Sequence, residues 1–192
     1  MFFGIQKLRE ETPLNLPVMR SNLTPINPPD LHHYRAAQGW LELGNLDEAN
    51  AELDNIAPDL RLHPDVLEVQ WHIHARENQW PACVVIGSIL VKVAPERSDS
   101  WIHHSFALHS LGRSKEALDI LVPVAVRFHD VWHVPYNLSC YCTAIGLYDQ
   151  AQGWLKIALS IDEKSAQKAC LEDPDLQPLW ATLSKTLLKE AD

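Results

Sequence analysis

Four heptapeptides decide how this chain is read: LGNLDEA at 43–49, ENQWPAC at 77–83, LGRSKEA at 111–117 and IGLYDQA at 145–151. Gly44, Gly112 and Gly146 take the second place in three of them, Asn78 holds it in the fourth, and neighbouring copies lie 34 positions apart. Glycine enters the left-handed backbone region without steric cost, and asparagine is the next most tolerant residue. All four phrases therefore predict the same tight turn. Five positions beyond each turn residue stands a small side chain: Ala49, Cys83, Ala117 and Ala151. On either side of the turns apolar residues recur at helical spacing. Ahead of Gly112, Trp101, Ser105, Leu108 and Leu111 share one face, and beyond it Ala117, Leu118, Leu121, Val124, Ala125 and Phe128 do the same. Each unit predicts an antiparallel helical hairpin. One hairpin cannot bury both of its apolar faces, so successive units must stack into a quasi-linear array.

Four registered copies of this period resemble the tetratricopeptide repeat (TPR). Trp101 near the start of a first helix, Trp80 and Tyr148 two residues after a turn, and Pro95 closing the second unit match the W…LG…Y…A…F…P pattern. The resemblance covers about 30–165, as units 30–63, 64–97, 98–131 and 132–165. It implies an all-α fold, a right-handed superhelical solenoid of helix-turn-helix TPR hairpins. Three positions depart from the pattern. Trp71 fills a first-helix slot that is small elsewhere (Ala37, Ser105, Ser139), and Gly87 in the following helix is expected to make room for it. Pro123 is expected to kink the second helix of the third unit, since it removes a backbone hydrogen bond. Pro135 is tolerable only in the first turn of its helix, which is therefore expected to start late.

Composition bounds the remaining choices. The 192 residues carry 16 Lys+Arg against 25 Asp+Glu, a formal charge of −9, with 46% hydrophobic residues, as suits a soluble acidic globular chain. No run approaches the roughly 18 apolar residues of a membrane span, and MFFGIQKLRE at 1–10 lacks the continuous stretch of about 7–15 that marks a signal peptide. Nucleic acid is disfavoured as a partner, because its affinity rests on cationic neutralisation of phosphates. Cys83, Cys140, Cys142 and Cys170 are irregularly spaced in a chain long enough to bury its own core, and read as reduced thiols in a cytoplasmic protein.

The two ends of the array differ. Residues 1–29 hold Pro13, Pro17, Pro25, Pro28 and Pro29 and no helical period, and form a proline-rich extension whose segment NLPVM (15–19) is a candidate occupant of the protein's own groove. Residues 166–192 carry the stripe Leu176, Leu179, Trp180, Leu183 and Leu187, with Lys185 and Lys189 placed to suit the helix dipole. They are expected to form capping helices over the last unit.

The resemblance implies that first helices line a concave groove, where equivalent positions stack in columns. The columns are Tyr34, Glu68, Ile102, Tyr136; then Gln38, His72, Phe106, Cys140; then Leu41, Ala75, His109, Thr143. Tyr34, Gln38, Leu41, Glu68, His72, Ile102, Phe106, His109, Tyr136 and Cys140 are the candidate partner-binding residues. Family members that grip the C-terminal carboxylate of chaperones use cations and asparagine at positions that here carry Tyr34, Gln38, Val69, Asp99 and His103, so that partner class is disfavoured. An extended segment or helix inserting apolar side chains fits better, with modest and mostly salt-insensitive affinity.

Two rival readings are weaker. Ten histidines invite metal binding, yet no H-E-x-x-H or C-x-x-C is present, and only stacking could gather His72, His103, His109 and Cys140. Catalysis would need a pair such as Cys140 with His109, and the chain has neither G-x-S-x-G nor a glycine-rich phosphate loop. The sequence thus predicts a non-catalytic protein-protein interaction module, an adaptor or scaffold for a protein or peptide partner, without cofactor or metal. A histidine-rich metal-binding or self-associating homo-oligomer is the alternative.

Overall fold

The computed structural model describes residues 25–180. Its regular structure there is helical throughout, in pairs: α1 (Asp30–Glu42) with α2 (Leu46–Asp54), α3 (Pro64–Arg76) with α4 (Trp80–Val93), α5 (Ser98–Ser110) with α6 (Ser114–Leu121), and α7 (His133–Ala144) with α8 (Tyr148–Ile161). A further helix, α9 (Glu163–Glu172), packs on α8. Gly44, Asn78, Gly112 and Gly146 all take positive φ, between 57° and 78°. At each turn the same two backbone bonds close the first helix. For Gly112 they run from its own N–H to the His109 carbonyl at 2.8 Å and from Arg113 N–H to the Leu108 carbonyl at 2.9 Å. This pairing satisfies carbonyls that a helix end would otherwise leave open.

The small residues five positions later are sealed from water, with Ala49, Cys83, Ala117 and Ala151 all at 0% exposure. Two of them are bonded across the hairpin to the equivalent slot of the first helix, Ser139 in one pair and Trp71 in another. Ser139 Oγ donates to the Ala151 carbonyl at 2.9 Å, and the Cys83 thiol donates to the Trp71 carbonyl at 3.6 Å. Stacking follows from helices that bury two faces. On α3, Val66, Val69 and Ile73 pack with α1 and α2, while Leu67 and Trp71 join Cys83, Ile86 and Leu90 of α4 and Ala107 of α5. Between the second and third pairs the Trp101 indole N–H donates to the Pro95 carbonyl at 2.8 Å, which ties the tryptophan and proline of the repeat pattern to each other.

Three sequence expectations need correction. Pro123 ends its helix instead of kinking it: α6 stops at Leu121, a 3-10 turn covers Val122–Val124, and turns continue to Phe128, which is still buried. The proline ring and its missing N–H oppose the i→i−4 ladder, and Phe128 reaches the core from the turn. Pro135 is the third residue of α7, inside the first turn, so the helix begins at His133 without delay. Gly87 does not make room for Trp71. A Cβ there would lie 2.6 Å from His104 Cα, so the glycine admits the backbone of α5. Trp71 instead stacks on His103, with ring centroids 4.2 Å apart and planes 18° from parallel.

The C-terminal stripe is described only to Trp180. Leu176 and Leu179 are buried, and the Trp180 indole donates to the Cys170 carbonyl at 3.0 Å. Leu183, Lys185, Leu187 and Lys189 lie outside the described residues, as do residues 1–24 with the NLPVM segment.

The close approach at Gly87 gives a paired expectation. Gly87→Ala should destabilise the protein by about 1–3 kcal/mol through overpacking, despite alanine's higher helix propensity. Gly153→Ala in α8, where a Cβ meets nothing within 4 Å, should stabilise by about 0.5–1 kcal/mol. Thermal unfolding of the two variants checks this, and shifts of the same sign would contradict the packing described.

Candidate functional site

The first helices stand side by side, α1 against α3 and α5 against α7, and their exposed edges form the face on which the groove was expected. Its two ends differ. Between α1 and α3 lies an open cleft of about 210 Å³, lined by Tyr34, Gln38, Leu41, Glu68, Val69 and His72, with Glu42 and Asp65 at its sides. Five of the sequence-predicted groove residues meet here. Leu41 forms part of the wall and is largely buried, while Gln38 reaches outward and donates to the Tyr34 hydroxyl at 2.9 Å.

The electrostatics of the cleft are lopsided. Asp65 holds the Arg97 guanidinium at 2.5 Å, and Glu68 is the second carboxylate of that cation, at 3.9 Å. Burial and then the neighbouring charge of Asp99 push the Glu68 carboxyl up, and Arg97 only partly opposes them. The Tyr34 hydroxyl is raised as well, by burial and by the charges of Asp65 and Glu68. A like-charge surplus therefore faces the opening. Adjacent to it, Pro25, Ile26 and Leu31 line a second hollow of about 320 Å³ that shares Tyr34 and Asp65 with the cleft.

Toward the middle of the face, Ile102 is half-buried and Phe106 is 36% exposed. Phe106 sets its ring edge against Trp80 at 5.7 Å and Trp71 at 6.3 Å. Trp71 is the residue that sequence reasoning flagged as anomalous, and its bulk carries His103 toward His72, the two imidazoles standing 5.0 Å apart.

At the far end the expected groove residues are covered by the chain itself. The segment after α9, from Asp173 through the 3-10 turn Pro174–Leu176, lies on α7. Tyr136 Oη donates to the Asp173 carboxylate at 2.8 Å, and the Cys140 thiol donates to the same oxygen at 3.5 Å. His109 Nε2 donates to Asp175 at 2.8 Å while its Nδ1 pairs with Ser114 Oγ at 2.9 Å. Tyr136 and Cys140 are thus buried, at 8% and 4% exposure, and are not open groove positions. The reason is the return of the C-terminal segment, a contact between residues more than thirty positions apart.

These same contacts undo the sequence-level pairings. Both nitrogens of His109 are engaged, and Cys140 faces the Asp173 carboxylate in place of that imidazole, so the two form no nucleophile–base pair. Nor do they join His72 and His103 in a metal cluster. Burial, followed by the Asp173 and Asp175 charges, raises the Cys140 thiol, and burial pushes Cys83, Cys142 and Cys170 up to about 11. Thiols so placed are protonated and inert at neutral pH.

Asp173 is accordingly the pin of the covering segment. Asp173→Ala should lower stability by about 1–3 kcal/mol by leaving the Tyr136 hydroxyl unpaired. It should also speed iodoacetamide labelling of Cys140, read by mass spectrometry, while Cys83 reacts at its former rate. Equal labelling of Cys140 in both proteins would show that the segment does not guard it.

No family model matches this chain, and no curated protein matches it. Solved structures do. A MamA fragment from Desulfovibrio magneticus RS-1, residue 41 to the end, is 15% identical with a TM-score of 0.66 and covers 87% of this chain and 98% of its own. Another MamA crystal structure is 13% identical with a TM-score of 0.63, covering 72% and 81%. YrrB, described as a TPR protein with an unusual peptide-binding site, is 10% identical with a TM-score of 0.59, covering 80% and 84%. Identities this low speak to fold alone, and they agree with the helical pairs and left-handed turns described above. In its fold this chain is a TPR-like protein.

Proposed function

We propose that the chain is a non-catalytic protein-interaction module, an adaptor or scaffold, that takes an extended peptide or helix in the cleft between α1 and α3. One observation carries this reading. The cleft sets apolar wall (Leu41, Val69, the Tyr34 ring) beside hydrogen-bonding groups (Gln38, His72) and a surplus of carboxylates (Glu42, Asp65, Glu68). A peptide with one apolar anchor next to a basic residue satisfies all three. YrrB, similar in fold, is described by its peptide-binding site, which supports a peptide as the class of ligand. The raised Glu68 carboxyl favours a cationic partner group as well, since a nearby positive charge would relieve it. Affinity should therefore fall with added salt, in contrast to the salt-insensitive binding expected from the sequence.

In this reading the units 30–63, 64–97, 98–131 and 132–165 are the scaffold, residues 166–192 close its end, and 1–29 precede it. The working surface is the open end of the face. Tyr34, Gln38, Leu41, Glu68 and His72 contact the partner there, with Ile102 and Phe106 flanking it.

Selection from a displayed peptide library, followed by fluorescence anisotropy on the selected sequences, tests the proposal. The selected peptides should share an apolar residue beside Lys or Arg. Tyr34→Ala combined with Gln38→Ala should weaken them at least tenfold, about 1.4 kcal/mol, with the circular dichroism spectrum unchanged. Peptides that bind this variant as tightly as the wild type would place the interaction elsewhere.

A further inference from the structure

Glu68 and His72 are separated by four residues on α3, which puts their side chains on one face of the helix. His103 enters from α5, the first helix of the next pair. One donor atom from each of the three side chains lies within 4.8 Å of the other two. Metal bonds to histidine nitrogen and carboxylate oxygen are about 2.0–2.2 Å long, so donors around one ion sit up to about 4 Å apart. Small side-chain rotations are enough to close the set.

We propose that Glu68, His72 and His103 form a binding site for a divalent transition-metal ion of the zinc, cobalt or nickel class. Two imidazoles and a carboxylate are a donor set that such ions prefer, whereas magnesium and calcium favour all-oxygen surroundings. Both imidazoles are available as ligands. Among the described residues neither ring makes a hydrogen bond, and His103 Nδ1 is sealed from water without a partner.

Charge agrees with chemistry. Glu68 feels the like charges of Asp99 and Asp65, and the nearest cation, Arg97, is spent mainly on Asp65. A divalent ion would neutralise this surplus without displacing Arg97. Trp71 stacks flat on His103 and holds the ring in orientation, as supporting groups commonly do for metal ligands. Because Glu68 and His72 also line the cleft, a bound ion would face it. The site stands on its own three residues and needs no peptide, so its failure and that of the peptide reading are separable.

The test is titration of the tag-free full chain with Co²⁺, followed by its visible d–d absorption, and with Zn²⁺ by calorimetry, both without peptide. One equivalent of Co²⁺ should bind with a visible spectrum that Zn²⁺ abolishes. Glu68→Gln and His72→Ala should each weaken binding more than tenfold, while His32→Ala, an exposed histidine on α1, should leave it unchanged. Because His103→Ala removes the ring stacked on Trp71, it is read only beside a circular dichroism spectrum that matches the wild type. Absence of a one-to-one Co²⁺ complex overturns the proposal. So does undiminished affinity in folded Glu68→Gln and His72→Ala, which would assign the ion to other histidines.

Discussion

The closeness of each hairpin at one point governs the rest of this molecule. Where the second helix crosses the first, Ala49, Cys83, Ala117 and Ala151 have no exposed surface, so the two backbones meet with almost nothing between them. Such contact is possible only because the preceding turn is tight, and the turn is tight because one residue accepts the left-handed conformation. Turn and crossing are therefore one device. It sets the angle within a pair, and with identical spacing it sets how one pair meets the next. The row of first helices, and with it any groove, is a consequence of that repeated geometry.

The second pair breaks the rule in one place, and the break generates the chemistry. A bulky Trp71 cannot sit where Ala37, Ser105 and Ser139 sit, so its ring goes outward to α5 and stacks on His103. Close passage of α5 at Gly87 accompanies this, since the missing Cβ lets His104, at the middle of α5, lie against α4. The outcome is an imidazole at His72 and a half-buried carboxylate at Glu68 meeting a second imidazole that a regular repeat would not have delivered.

How much of this was legible follows from the range of each interaction. Turn residues and small slots are local signals, readable from a seven-residue phrase, and the period multiplies them. The cleft residues Tyr34, Gln38, Leu41, Glu68 and His72 were also readable, because a fixed period converts sequence position into a column on the face. Pro123 was misjudged because its local effect is certain but its resolution is not: the helix ended, and Phe128 found the core from a turn. Tyr136 and Cys140 were misplaced because what covers them arrives from Asp173, and no periodicity encodes that return. The position of Glu68 beside His72 and His103 was missed for a similar reason. Its partner His103 is offset from the column of His72, so only Trp71's displacement aligns them.

The covering segment also explains why one end of the face is closed and the other open. Asp173 and Asp175 are anchored by three donors: the Tyr136 hydroxyl, the Cys140 thiol and the His109 imidazole. Moving the segment back by one repeat unit would bring Asp173 against Ile102 and Phe106 and Asp175 against Ala75, none of which can donate. Moving it back by two would set Asp173 beside His72 but against Glu68, a carboxylate already raised by burial and by Asp99, and Asp175 against Leu41. Unpaired or repelled carboxylates are costly in partly buried positions. Moving it back by three would offer Tyr34 and Gln38 as donors, but Glu42, Asp65 and Glu68 line the same cleft and would repel it. The carboxylates of the α1–α3 cleft thus disfavour the protein's own acidic segment there, and they are the same groups that would draw in a cationic ligand.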